Sequence, residues 1–238
     1  MLLRVAHLGR IDYLEALDLQ YELVEKCARE EIPDTLLLLE HPHVVTLGKR
    51  GEHSDLLFSE EFLKSKGITT AWVDRGGQAT YHGPGQLVGY PIINLRHHQR
   101  KIKRFVHNIE NFMIELMGRY YDIECHTEDE YIGVWVENRK IAAIGISIHR
   151  GVSMHGFALN VCTDLSYFSY IIPCGISGSG RGVTSISKEL AGRAGVESSG
   201  DGVKVAAVTQ KAGPLFAEIF GYEEIEIVAG NPLEEHQL

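Results

Sequence analysis

The sequence predicts one α/β (α+β) domain in which a mixed, partly antiparallel sheet is flanked by helices. Three observations predict it. Apolar runs of strand length alternate irregularly with two long amphipathic stretches, Ile11 to Glu31 and Ile102 to Arg119, whose apolar residues recur close to helical spacing. The turn Glu137-Asn138-Arg139 separates two apolar runs in the manner of a hairpin, which requires antiparallel pairing. No strict strand–helix–strand repeat is present, which counts against a TIM barrel or a simple Rossmann fold. The length of 238 residues suits a single domain.

Taken in order, Leu2 to Leu8 is a short apolar strand that leads into the first helix. Thr35 to Leu39 is a continuous apolar run and reads as a buried strand. Val44 to Leu47 is another strand, and Ser54 to Lys66 forms short helices stopped by Gly67. Thr69 to Val73 and Gln86 to Leu95 are strands around the glycine-rich segment Arg75 to Gly85. Beyond the second helix, Tyr131 to Val136 and Lys140 to Ile148 form the hairpin, and Gly156 to Val161 is a further strand. A last helix covers Val203 to Phe220, with Pro214 expected to kink or interrupt it. The domain is expected to occupy residues 1–222, leaving 223–238 as an acidic tail frayed in part.

Composition narrows the function classes. With 44% hydrophobic and 23% charged residues the chain reads as a soluble globule. A net charge of −9 argues against general nucleic-acid binding, which wants a basic surface. No apolar run approaches the ~20 residues of a membrane span. The acidic, amphipathic stretch from Asp12 follows the start too closely for a signal peptide. Cys27, Cys125, Cys162 and Cys174 form no CxxC pair, so free thiols in a reducing, cytoplasmic compartment are expected. Three of the four are expected to be small buried hydrophobes.

Four segments can carry chemistry. Arg75-Gly76-Gly77-Gln78-Ala79-Thr80-Tyr81-His82-Gly83-Pro84-Gly85-Gln86 combines four glycines with many hydrogen-bond donors. Glycines permit close backbone approach to a ligand, but they also build plain strand connections. The segment lacks the features of a phosphate loop. In Pro173-Cys174-Gly175 a restricted turn presents a thiol, which becomes a nucleophile only if something lowers its pKa. Lys140 follows Arg139 at the hairpin turn; it is either a solvated turn lysine or, pointing inward beside a thiol, a stabiliser of the thiolate. Met154 to Asn160 is an apolar strand broken by small residues, as an acyl groove or simple core packing would require. His41-Pro42-His43 is the tightest histidine pair, yet no complete ligand set follows and no metal is expected.

The run Arg-Gly-Gly-x-x-Thr-Tyr-His-x-x-Gly-Gln-x-x-x-Tyr at Arg75 to Tyr90 resembles the signature of the octanoyltransferase family. The match continues through Lys140-Ile-Ala-Ala-Ile-Gly145, His155 to Val161 and Pro173-Cys174-Gly175, and covers the chain to about Tyr222. Together the four blocks are specific; none is so alone. The resemblance implies a fold shared with biotin and lipoate protein ligases. It implies transfer of an octanoyl group from acyl carrier protein to a lysine on lipoyl domains of 2-oxoacid dehydrogenases or on the glycine cleavage H protein. It places the nucleophile at Cys174 and its partner at Lys140. Substrate binding would fall on Arg75, Gly76, Gly77, Gln78, Ala79, Thr80, Tyr81 and His82, on Ala143, Ile144 and Gly145, and on Gly156, Phe157 and Ala158.

A carrier-bound thioester arrives already activated, so no ATP and no other cofactor is expected. Backbone N–H groups near Gly77 are the expected oxyanion donors. Arg96, Arg100, Lys101, Lys103 and Arg104 reverse the chain's overall charge and are a docking candidate for an acidic carrier, or an ordinary solvated face. The loop Ser177 to Gly182 is more glycine-rich than the family pattern leads one to expect. The competing readings are an ATP-dependent lipoate or biotin ligase, which needs no nucleophilic cysteine, and a catalytically inert acyl-carrier or acyl-lysine binding module.

Overall fold

Leu36 and Leu38 pack into one hydrophobic layer while Leu37 and Leu39 pack into another, and this division of one strand organises the whole chain. The computed structural model describes residues 1–98, 101–172, 180–194 and 202–234. Its elements are β1 (Leu2–Arg10), α1 (Tyr13–Ala28), β2 (Asp34–Glu40), β3 (Val44–Leu47), α2 (Glu60–Ser65), β4 (Thr69–Trp72), β5 (Ala79–His82) and β6 (Gln86–Ile92). There follow α3 (Ile102–Tyr121), β7 (His126–Thr127), β8 (Val134–Val136), β9 (Arg139–His149), β10 (Val152–Asn160), β11 (Gly182–Val183), α4 (Ile186–Ala194), α5 (Val205–Phe220) and β12 (Glu224–Ala229).

Among the described residues the main sheet runs β12-β1-β2-β6-β10-β9-β8-β7, with β11 beside β9. β1 is parallel to both β12 and β2, and from β6 to β7 the pairing is antiparallel. The sheet is therefore mixed, as the sequence predicts. α1 covers one face through Ala16, Leu23, Val24 and Cys27. α3 and α5 cover the other with Ile109, Phe112, Leu116, Val208, Leu215 and Phe216. A strand covered on both faces is apolar at every position, which is why β2 reads as a continuous run rather than an alternation. The first helix starts where Asp12 accepts a hydrogen bond from the Leu14 amide, an N-cap. No described helix is long and apolar enough to cross a membrane.

Four expectations need correction. The segment 223–238 is not simply a tail: Glu224–Ala229 is β12, the parallel edge partner of β1, with Arg4 Nε donating to Glu226 Oε2 at 2.7 Å. Its acidic composition hides a period-2 alternation of Glu224 and Glu226 with Ile225 and Ile227. Residues 235–238 lie outside the described residues. α5 runs on through Pro214. Pro214 and Gln210 are both exposed, so the carbonyl deprived of its amide partner meets water while Leu215 and Phe216 hold the other face. Thr80 and its neighbours are not a bare connection: β5 joins β3 and β4 in a separate small sheet, ordered β4-β3-β5. Cys27 is buried and Cys125 half-buried, but Cys162 is exposed, because it lies where the chain turns out of β10.

Candidate active site

The segment from Arg75 to Gln78 is tied down from within. Arg75 is buried, and its guanidinium donates to the Thr46 carbonyl at 2.6 Å, to Thr46 Oγ1 at 2.8 Å and to the carbonyls of Gly76 and Gln78 at 3.0 and 2.9 Å. Gly76 N–H donates to the Ile146 carbonyl of β9 at 3.1 Å, and the Gly77 carbonyl accepts from Arg50 N–H at 3.1 Å. The loop thus lies across β9 at Gly145, where a Cβ would sit 2.9 Å from the Gly76 carbonyl. Glycine there is a steric requirement of close approach. Gly156 meets the same requirement on the adjacent strand, since a Cβ would sit 2.1 Å from the Gly89 carbonyl.

Asp74, at the root of the loop, accepts from His155 Nε2 at 2.8 Å and makes a very short contact with His149 Nε2. Burial works against the Asp74 carboxylate, but these two hydrogen bonds hold its pKa below the usual carboxylate value. His155 carries φ = 57°, a left-handed conformation uncommon for a side chain with a Cβ. Its amide donates to Gln20 Oε1 at 2.8 Å, so the unusual backbone is held from α1.

Lys140 points inward. Strand alternation sends Arg139 outward to Glu137 and Glu189, at 2.8 and 3.1 Å, and leaves the Lys140 side chain buried. Its Nζ lies 4.7 Å from the Trp135 ring centroid and donates to the Ile132 carbonyl at 3.4 Å. β11 pairs directly with this portion of β9, Val183 opposite Lys140. On the other side of the segment that holds the expected nucleophile, Ile172 N–H donates to the Asp55 carbonyl at 2.8 Å. Cys174 itself, with residues 173–179, lies outside the described residues, and so does the first half of the Ser177 to Gly182 loop.

These elements enclose a cavity of about 650 Å³, within the ordinary range for a small-molecule site. The structure brings Arg75, Gly76, Gly77, Gln78, Ala79, Thr80, His82, Lys140, Ala143, Ile144, Gly145, Gly156, Phe157 and Ala158 together on its walls. Tyr81 is the exception. Alternation along β5 sends its ring to the opposite side, where it stacks on Tyr167 and its hydroxyl meets His43 Nδ1 at 2.7 Å. The sequence reading missed Tyr13 at the start of α1, Ile102 and Val106 on α3, Tyr131, Ile132 and Phe168. None belongs to a motif block; each reaches the cavity only through the packing of its element.

Close to the Arg75 guanidinium, burial keeps His41, His82 and Tyr13 in their neutral forms. His41 Nδ1 donates to the Ile11 carbonyl at 2.8 Å, so its Nε2 accepts from the Tyr90 hydroxyl at 2.7 Å. Burial pushes the His41 pKa down to about 4 and that of His82 down to about 3. Tyr13 stacks 6.0 Å from His82, and burial raises its hydroxyl to about 12. His41 and His43 diverge toward different tyrosines, and no cluster of metal-ligating residues occurs among the described residues.

Over residues 12–210 the sequence matches the lipoyl protein ligase A/B catalytic domain. An octanoyltransferase from Alkaliphilus metalliredigens (strain QYMF) is 46% identical over 228 residues, 96% of this chain and 100% of its own length. Among solved structures, lipoate-protein ligase A bound with ATP superposes with a TM-score of 0.67 at 15% identity, covering 96% of this chain and 88% of that one. A bi-partite lipoate protein ligase from Thermoplasma acidophilum, studied with its E2 lipoyl domain, gives 0.65 at 16%, covering 96% and 87%. At such identities the likeness to the ligases is one of fold.

The chain belongs to the lipoyl protein ligase A/B catalytic domain family. Within that family it is an octanoyltransferase, an acyltransferase of protein lipoylation.

Proposed function

We propose that octanoyl transfer here runs through a Cys174 thioester, with Lys140 as the group that manages its proton, and that Arg75 to Thr80, His82, Ala143 to Gly145 and Gly156 to Ala158 bind the acyl donor. The observation that carries the reading is the buried Lys140 on the wall of the cavity, with Val183 paired beside it. The thiols of Cys27 and Cys125 are pushed up to about 12 by burial, so neither supplies a thiolate near neutrality.

In the first half-reaction the Cys174 thiolate attacks the donor's thioester carbon. A C–S bond to Sγ forms, the donor's C–S bond breaks, and the departing thiolate takes the proton that the Lys140 ammonium holds, which leaves Lys140 an amine. In the second, the acceptor's lysine amine attacks the acyl-enzyme; the new C–N bond forms as the bond to Sγ breaks, and the proton released by the amine passes to Lys140. The Lys140 ammonium favours the thiolate by charge. Gly77 N–H makes no backbone hydrogen bond among the described residues, which leaves it able to donate to the oxyanion.

The donor is octanoyl-acyl carrier protein and the acceptors are apo lipoyl domains and the glycine cleavage H protein, in the cytoplasm. The lipoyl domain that accompanies the Thermoplasma ligase supports this kind of acceptor. Arg96, Lys101, Lys103 and Arg104 are exposed without an ion-pair partner among the described residues, and Ile102 between them lines the cavity. The basic patch therefore lies at the cavity mouth, where an acidic carrier would dock; Arg100 lies outside the described residues.

The test is intact mass after mixing with octanoyl-acyl carrier protein without ATP, wild type beside Cys174→Ala. One octanoyl group gained only by wild type, and discharged by apo lipoyl domain, is the expected result. No adduct and no transfer, but modification once ATP and free octanoate are supplied, would overturn the proposal in favour of adenylate chemistry.

A further inference from the structure

One wall of the cavity holds a hydrogen-bond relay whose direction can be read atom by atom. Thr184, whose amide donates to the Lys140 carbonyl at 3.0 Å, offers its own carbonyl to Asn160 Nδ2 at 3.0 Å. A carbonyl can only accept, so the Asn160 amide is fixed with its NH2 toward Thr184 and Oδ1 turned away. That Oδ1 accepts from Gln86 Nε2 at 2.9 Å, and the same Nε2 donates to the Tyr81 carbonyl at 3.2 Å. Two acceptors on one side of the Gln86 amide leave Oε1 on the other, facing His82 Nδ1 at 2.8 Å. Oε1 cannot donate, so the imidazole proton sits on Nδ1 and the lone pair on Nε2.

The His82 ring lines the cavity, and Nε2 has no partner among the described residues. We infer that His82 Nε2 is a fixed, uncharged acceptor for an N–H group of the substrate, oriented by the Thr184–Asn160–Gln86 relay that begins on the strand of Lys140. The inference rests on the acyl-transfer reading for the identity of that substrate. An octanoyl chain has no N–H, so the group belongs to the attacking lysine amine or to an amide in the arm that bears the donor's thioester. Burial, with His41, Arg75 and His155 nearby, disfavours a proton on Nε2, while the Gln86 hydrogen bond alone favours the charged form. A group so reluctant to take a proton is a poor base near neutrality. Its action is to orient the N–H, turning the amine's lone pair onto the acyl carbon while the proton leaves to the base.

The first test uses wild-type protein labelled with 15N-histidine and reads the two-bond 15N–1H correlation of His82, at pH about 7 and about 5.5. A neutral Nδ1–H ring at both is expected. An Nε2–H tautomer or an imidazolium overturns the inference whatever the activity. The second test is Gln86→Glu, whose carboxylate at Nδ1 should turn His82 into an imidazolium and its Nε2 into a donor, read by the same spectrum. His82→Phe, which keeps a ring against Tyr13 but removes Nε2, is run beside it. Self-acylation by octanoyl-acyl carrier protein and discharge to apo lipoyl domain are then timed separately. A fall of about tenfold or more, the size expected for one lost substrate hydrogen bond, confined to discharge assigns the N–H to the amine. The same fall confined to self-acylation assigns it to the donor's arm. Neither step slowing in His82→Phe overturns the inference. Failure of wild type to acylate at all would sink the acyl-transfer reading instead, and would leave the tautomer result standing.

Discussion

His155 Nε2 lies 2.8 Å from Asp74 Oδ1, and through that contact β10 holds the root of the loop that carries Arg75. The neighbouring His149 grips the other carboxylate oxygen, so one side chain joins the β9–β10 hairpin to the binding wall at two points. Asp74→Asn keeps the shape but can accept with only one of its two ends. The carboxylate is partly exposed, so the loss of stability is modest, about 1.5 kcal/mol, read as a lower urea midpoint. The larger effect should be a rise in KM for the acyl donor, as the Arg75 loop loosens. A variant with the wild-type midpoint and KM would show that Asp74 holds nothing that matters.

The neutral histidines behind the cavity make stability depend on pH. His41 and His82 have folded-state pKa values of about 4 and about 3, against 6.5 for the free side chain. Below 6.5 the unfolded chain takes up protons that the native state refuses, so their contribution to stability is whole above that pH and is lost as the pH falls toward 4 and 3. The slope approaches ~1.4 kcal/mol per histidine per pH unit once the unfolded ring is fully protonated, which gives roughly 3 kcal/mol for the pair between pH 6.5 and pH 5. His155, also held below its ordinary value chiefly by burial, adds in the same direction. Urea unfolding at the two pH values checks this; equal stability at both would mean that these rings are protonated in the folded protein.

Gly145→Ala tests the close approach of loop and strand. The new Cβ would stand 2.9 Å from the Gly76 carbonyl and 3.3 Å from Arg75 Cδ. The backbone carbonyl must move, and it is anchored beside Gly76 N–H, which is bonded to Ile146. The expected result is a loss of self-acylation by about tenfold or more with a stability cost of about 1–3 kcal/mol, the usual range for overpacking. A fully active variant would mean that the loop yields without harm.

The same glycine shows how far the sequence could be read. Composition and periodicity are local properties, and they locate most elements that are long or strongly patterned, such as α1, β2 and α3. They cannot show that Gly145 and Gly76 touch, since sixty-nine positions separate them. The motif blocks gave the larger part of the cavity wall because these short runs hold both the backbone and the side chains that face it. Tyr81 failed because a motif does not say which face of a strand a residue takes. Tyr13 and Ile102 were missed because their places depend on how α1 and α3 pack. β12 was obscured because each of its isoleucines follows a glutamate in a segment rich in acids, although the alternation was there.

The basic patch at the mouth yields the last prediction. Lys101 and Arg104 stand at the start of α3, where no side chain caps the helix and no acid lies in the first turn. Cations in that position oppose the helix macrodipole at a cost of some tenths of a kcal/mol each. Lys101→Glu with Arg104→Glu should therefore stabilise the helix slightly while harming encounter with an acidic carrier. The two effects have opposite signs, which separates docking from folding. We expect an unchanged or higher melting temperature, KM for octanoyl-acyl carrier protein raised about tenfold at low salt, and a difference that shrinks as salt screens the patch. Saturation with a small, uncharged octanoyl thioester should be unaffected, because such a donor reaches the cavity without the patch. Equal KM values for the carrier-bound donor in variant and wild type, with the same salt dependence, would leave the patch as an ordinary solvated surface.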